Sequence, residues 1–171
     1  MVFGLSASML SFVTTVAALA ILTPADAQEA LPPAIAAPGA NTILTAHAVG
    51  AQVYECKVDA AGKLGWQFRE PIATLIVDGR TVGRHFAGPS WELADGSLVT
   101  GKGVGRADGA TADDIPWLKL EAPGGQGQFA KVMLVQRIHT KGGALSGACA
   151  DAGVLTAVPY SGDYVFLAKG G

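Results

Sequence analysis

From Ile43 onward, apolar and polar residues alternate with a period of two, the repeat of a strand with one buried face. Ile43–Val49 and Gln52–Val58 read as two strands; in the second, Tyr54, Cys56 and Val58 share one face and Val53, Glu55 and Lys57 the other. Leu64–Glu70 alternates too, and its face of Leu64, Trp66 and Phe68 is expected in the core. Pro71 interrupts the run, and Ile72–Val77 resumes it. Thr81–Phe86, Ser97–Val104, the long apolar run Phe129–Ile138 and Tyr160–Leu167 complete the strand pattern. Between them lie Asp59-Ala60-Ala61-Gly62-Lys63, Asp78-Gly79-Arg80, Asp95-Gly96 and Gly124-Gly125-Gln126-Gly127, which carry the chemistry of tight turns. No stretch beyond residue 27 sustains apolar residues at i, i+3, i+4, i+7. Short strands between turns predict an all-β, mostly antiparallel single domain, either a sandwich or a closed barrel.

The start of the chain follows a different pattern. Val2–Leu22 has no charged side chain, Thr23-Pro24 stops any helix, and Ala25-Asp26-Ala27 presents the small residues a signal peptidase reads. A signal peptide is expected over residues 1–27, with cleavage before Gln28 and an uncleaved anchor as the alternative. Residues 28–41 form a Pro/Ala-rich lead-in, ordered where Leu31 or Ile35 docks, and residues 42–171 form the β domain. Such a chain is exported, to a periplasm or outside the cell. Its two cysteines, Cys56 and Cys149, are then expected to form a disulfide.

Charge narrows the partners. Lys and Arg number 12 against 14 Asp and Glu, a net charge of -2 for the whole chain. Nothing here supplies the basic face that nucleic acid demands, or a polybasic segment for anionic lipid. No nucleic-acid partner is expected, and no membrane partner after signal cleavage. His47, His85 and His139 are scattered without ligand spacing, so no metal or other cofactor is expected. The glycine-rich runs at residues 101–105 and 124–127 lack a following helix and read as turns, not phosphate loops.

The densest chemistry lies between His85 and Ser97: an imidazole, a Gly88-Pro89 corner, the Trp91 indole, and the carboxylates of Glu92 and Asp95. A ligand site of His85, Trp91, Glu92 and Asp95 is the candidate, joined by Trp117 and Arg137. His85 is expected at the surface of that pocket and Trp91 with one face packed. In the plainer alternative Trp91 fills the core and His85 satisfies a backbone group. Arg137 and His139, two apart, would share a strand face and meet an anion, or else Arg137 pairs with a carboxylate across the sheet. No Gly-x-Ser-x-Gly elbow occurs, and no catalytic residue is assigned. The leading reading is a non-catalytic exported module binding a small or carbohydrate-like ligand or a partner protein. The alternatives are a hydrolase or isomerase using His85 with Glu92 or Asp95, and a purely structural envelope protein.

A longer series of motifs runs through the domain: Tyr54-x-Cys56, His85-Phe86-Ala87-Gly88-Pro89-Ser90-Trp91-Glu92, Asp95-Gly96-Ser97 and Ile115-Pro116-Trp117-Leu118. It continues with Gln136-Arg137-x-x-Thr140-x-Gly142-Gly143, Cys149, and Val158-Pro159-Tyr160-x-x-x-Tyr164-x-Phe166. In this order, from about Asn41 to Leu167, the chain resembles a secreted bacterial and fungal family catalogued as domain of unknown function three-four-five-five. The resemblance implies an exported single domain and carries no activity. Some fungal relatives bear a dehydrogenase label, but no Gly-x-Gly-x-x-Gly follows a strand and opens a helix here.

Overall fold

The period-two pattern folds into nine strands: β1 (Asn41–Val58), β2 (Leu64–Val77), β3 (Arg80–Phe86), β4 (Ser90–Leu93), β5 (Leu98–Thr100), β6 (Lys102–Ala107), β7 (Trp117–Glu121), β8 (Leu134–Gly142) and β9 (Leu155–Ala168). The structure, a computed structural model, describes Met1 and residues 30–170. The expected signal peptide, apart from Met1, lies outside the described residues. Residues 31–171 form one unit.

All the strands belong to one antiparallel sheet, in the order β5-β4-β3-β2-β1-β9-β8-β7-β6. Its two edge strands, β5 and β6, follow each other in the chain with only Gly101 between them. A sheet whose first and last strands are joined by one residue must curl until its edges approach, and the result is a nearly closed barrel. The fold is therefore all-β, and of the two architectures it is the barrel. Gly101 is needed at that seam: a Cβ there would lie 3.1 Å from the Leu120 Cβ and 3.2 Å from the Trp91 ring.

Several strand boundaries differ from the sequence pattern, each for a physical reason. The two runs around Gly50 are one strand of 18 residues. Gly50 does not turn the chain but lets β1 run close under β2, where a side chain would collide with the Ile72 carbonyl oxygen. Pro71 stays inside β2, near the register shift between Val53 and Tyr54, where bulged pairing tolerates a missing donor. Ser97–Val104 splits at the seam. Phe129 is apolar for a reason other than strand formation: it ends a 3-10 turn, Gly127–Phe129, and β8 starts only at Leu134. Phe129 and Val132 are both buried and help fill the barrel interior. Phe129 stacks on Phe166 with ring centres 4.5 Å apart, and Trp91 meets Phe166 edge-on at 5.8 Å. Leu75, Val99 and Val135 pack in the same cluster.

Two devices tie down the ends of this barrel. The lead-in docks through Ile35, which is fully buried. Gln136 of β8 donates through Nε2 to the Ile35 carbonyl at 2.6 Å, and Lys119 of β7 donates to the Ala36 carbonyl at 3.2 Å. Gln136 thereby stays hydrogen-bonded although buried, as a buried polar group requires. Cys56 and Cys149 form a disulfide across 93 positions. In the chain-entropy account, closing so long a loop stabilises the fold by about 4–5 kcal/mol. Among the described residues no helix is long and apolar enough to cross a membrane.

Candidate functional site

Inward-facing side chains do not fill the barrel evenly. A cavity of about 680 Å³ remains, lined by residues from β1, β2, β3, β4, β6, β7, β8 and β9 and the loops beside them. His85 and Trp91 form part of its lining. The Gly88-Pro89 corner folds β4 back on β3 so that His85 and Trp91 are direct cross-strand partners. Residues paired this way share a face of the sheet. Their rings stack at 4.7 Å, only 7° from parallel, and Tyr164 packs against them at 4.7 Å and 5.2 Å.

His85 Nδ1 lies 2.8 Å from the Ser90 carbonyl oxygen. A carbonyl only accepts, so Nδ1 carries the proton and Nε2 keeps the lone pair in the neutral ring. Burial pushes the His85 pKa down to about 4; the Ser90 carbonyl opposes that shift, and the charge of Arg137 adds to it. At neutral pH the imidazole is therefore uncharged. His85 is 2% exposed and Trp91 0%, so His85 is not the surface residue the sequence suggested. The plainer expectation, a packed indole and a histidine satisfying a backbone carbonyl, describes their contacts.

Arg137 brings charge to this wall. It alternates with Val135 along β8, so it takes an inward position, and it is half-buried. Its Nε and Nη2 donate to the Pro116 carbonyl at 3.1 and 2.9 Å. That uses two of five N–H groups, and the Tyr164 hydroxyl is a further hydrogen-bond partner of the guanidinium. Among the described residues it forms no ion pair, so the carboxylate partner considered across the sheet is not there. Arg69 and Arg106 also line the cavity, and no Asp or Glu does. The Tyr54 hydroxyl donates to the Gly143 carbonyl at 2.7 Å. Burial raises the pKa of Tyr54, Tyr160 and Tyr164, keeping these hydroxyls protonated. Trp91 Nε1 is buried without a hydrogen-bond partner, and the buried Gln52 side chain lies beside the Tyr160 hydroxyl.

The other candidate residues lie elsewhere. Glu92 pairs across the sheet with Arg84, at 2.6 Å between Nη2 and Oε2, and does not line the cavity. Asp95 sits in the β4–β5 turn, accepting from Ser97 N at 2.9 Å and Gln128 Nε2 at 2.7 Å. These bonds, that of Gln128 foremost, hold its pKa below the usual value. Neither carboxylate is hydrogen-bonded to His85, whose ring partner is a backbone carbonyl. Trp117 meets His139 edge-on at 5.2 Å, away from the cavity lining. His139 does not share Arg137's face as strict alternation would have it. Its φ of 52° and the register shift between Ile138 and Lys141 turn it to Asp163, which also holds His47. Such a bulge re-aims a side chain. Among the described residues no group of His, Cys, Asp and Glu is arranged to hold a metal ion.

Five polar cavity residues were not among the candidate site residues: Gln52, Tyr54, Arg69, Arg106 and Tyr164. Tyr54 was read only as part of a strand face. Phe68, expected in the core, is 54% exposed at the cavity and meets Tyr54 edge-on at 5.9 Å. The available signal was polarity at inward positions: Gln52 follows the buried Ala46 and Ala48 on the same face of β1, and Arg137 follows Val135 on β8.

Neither a curated protein nor a solved structure matches the chain. Its motifs, its single β domain and a match over residues 36–168 agree on one assignment: the chain belongs to the family described as "Protein of unknown function (DUF3455)".

Proposed function

We propose that this chain is an exported, non-catalytic β-barrel module that binds a small molecule in its interior cavity. The observation that carries this reading is the cavity itself, about 680 Å³ beside an otherwise packed aromatic core. That volume falls within the range of about 300–1,000 Å³ typical of small-molecule sites. Its wall is mainly apolar with a few polar groups, the composition such sites share. The export half rests on the apolar start of the chain with Ala25-Asp26-Ala27, and on the Cys56–Cys149 disulfide, which suits an oxidising compartment. Against catalysis stands the separation of His85 from Glu92 and Asp95 by the Arg84–Glu92 pair and the β4–β5 turn.

The test is a thermal-shift screen of the disulfide-bonded chain from residue 28, followed by Leu118→Trp. Leu118 lines the cavity from β7, and an indole there reduces its volume. A compound that raises the midpoint of the parent should lose its effect in Leu118→Trp while the far-UV spectrum stays that of a β protein. Equal stabilisation of both proteins would move the binding site elsewhere and sink the reading.

A further inference from the structure

We infer that the ligand of this cavity is an amphipathic organic anion, with its acidic head on the Arg137 guanidinium and its apolar body against Phe68, Pro71, Ile115, Leu118 and Leu145. The inference rests on the binding role proposed above and specifies its chemistry.

Charge is the first ground. The chain has five arginines, and three of them, Arg69, Arg106 and Arg137, line this one cavity. No carboxylate and no lysine lines it. That is a local excess of positive charge in a chain of net charge -2. Arg69 is partly neutralised by Glu70 at 3.2 Å and Glu55 at 3.9 Å, whereas Arg137 forms no ion pair among the described residues. A half-buried guanidinium without a counter-charge has lost part of its hydration and gained no partner ion.

Geometry is the second. The two hydrogen bonds to Pro116 fix the plane of the Arg137 guanidinium, and beyond these and the Tyr164 hydroxyl beside it, N–H groups remain for a ligand. A planar fork of this kind matches a carboxylate, sulfonate or phosphate through paired N–H···O bonds. A fixed donor also loses little entropy on binding.

The third ground is independent of charge. Gln52 and Trp91 line the same cavity; the Gln52 amide has the Tyr160 hydroxyl beside it, whereas the Trp91 indole N–H is buried without a partner. This wall therefore holds a buried donor in need of an acceptor, and an acceptor-rich group satisfies it. An inorganic ion alone would leave the apolar wall against water, so the occupant combines an acidic head with an apolar body.

The experiment compares two fluorescent probes of similar ring skeleton on the disulfide-bonded chain from residue 28: anilinonaphthalene sulfonate, an anion, and phenylnaphthylamine, which is uncharged. The sulfonate is expected to bind about tenfold tighter or more, the ratio one charge-assisted hydrogen bond provides. Added salt should weaken the sulfonate and spare the amine. Arg137→Gln should remove the difference, and Arg84→Gln, at the outward arginine paired with Glu92, should leave it intact. Octanoate should displace the sulfonate at concentrations where inorganic phosphate does not. If Arg137→Gln does not fold, Arg106→Gln together with the salt dependence of the parent carries the same test. Equal affinity for both probes, insensitive to salt, would overturn the anion assignment while leaving small-molecule binding in place. Displacement by phosphate as readily as by octanoate would overturn the apolar half. Binding of neither probe counts against the cavity as a ligand site at all.

Discussion

The aromatic core and the cavity share the interior of one barrel and are built by several of the same strands. β9 gives Phe166 to the core and, two positions away, Tyr164 to the boundary with the cavity. β8 gives Val135 to the core and Arg137 to the cavity. In the core, Phe129, Phe166, Trp91, Val99 and Leu75 fill space with carbon. In the cavity the inward positions carry a guanidinium, phenols and an amide, and the space stays open. Burial of carbon holds the fold, at roughly 1.5–3 kcal/mol for each large apolar side chain. Polar groups in unfilled space do little for stability, so their presence there calls for another explanation, and the proposed ligand binding is one.

The comparison can be broken most directly by truncating one side chain from each region. Phe129→Ala removes a fully buried ring from the stack on Phe166 and is expected to cost about 3–5 kcal/mol in urea denaturation. Phe68→Ala, at the exposed wall of the cavity, should cost no more than about 0.5 kcal/mol and weaken ligand binding instead. Comparable losses from the two would mean that the cavity wall also holds the barrel together, and the division would fail.

Cys149→Ala addresses what holds the cavity side, where the space stays open. The bridge ties the end of β1 to the segment before β9, close to Tyr54 and Leu145 of the cavity wall. Its removal should cost roughly 2–5 kcal/mol. Chemical unfolding of the variant measures this; a loss well under 1 kcal/mol would show that the strands alone hold that side.

His85 lies at the boundary between the two regions and gives the comparison a pH dependence. Its unfolded pKa is the ordinary 6.5, and burial lowers the folded value to about 4. Between those values acid protonates the unfolded chain but not the folded one, so stability falls as pH falls from 6.5 towards about 4. Above 6.5 the ring is neutral in both states and its contribution is flat. A shift of this size corresponds to about 3 kcal/mol across the window. Denaturation midpoints measured over that range, for the parent and for His85→Asn, isolate the effect. An unchanged slope in the variant would assign the pH dependence to other groups. Asp95 and Asp114 act lower: their folded pKa values lie below 3.8, so the stability they contribute is lost only as pH falls below that value.

Much of this architecture could be read from the sequence, because alternation decides which residues face in and turn residues decide where strands end. The β class follows from such local rules, and the Cys56–Cys149 pairing from the cysteine count and the expected export; the rules leave open whether Leu31 or Ile35 docks. Alternation does not say how far along the barrel an inward residue lies. For that reason Phe68 reads as core, although it lies at the cavity, and Arg69 and Arg106 pass unnoticed. Nor does it survive a bulge: one residue with positive φ, His139, separates it from Arg137. His85 and Trp91 were brought together by the Gly88-Pro89 corner, whose direction no periodicity encodes. Glu92 and Asp95 stand close to them in sequence, but the same corner and the following turn hold both carboxylates away from the cavity.

The smallest expected effect bears on that last point. Arg84 and Glu92 are direct cross-strand partners, and their side chains are 67% and 32% exposed. An ion pair so open to water contributes about 0–1 kcal/mol, because solvent screens the charges and holding two long side chains costs entropy. Glu92→Gln keeps the shape and removes the charge. It should change stability by no more than about 0.5 kcal/mol, and the affinity for any cavity ligand by less than about twofold. Titration calorimetry with the sulfonate probe, beside a urea curve, measures both. If a hydrolase or isomerase used His85 with Glu92, the same substitution would act on the cavity through His85. In the structure Glu92 bonds to Arg84 and His85 to the Ser90 carbonyl, so no hydrogen bond connects the two. A tenfold loss of binding with stability intact would therefore return Glu92 to the site and break the separation of inner and outer faces on which the division of the barrel rests.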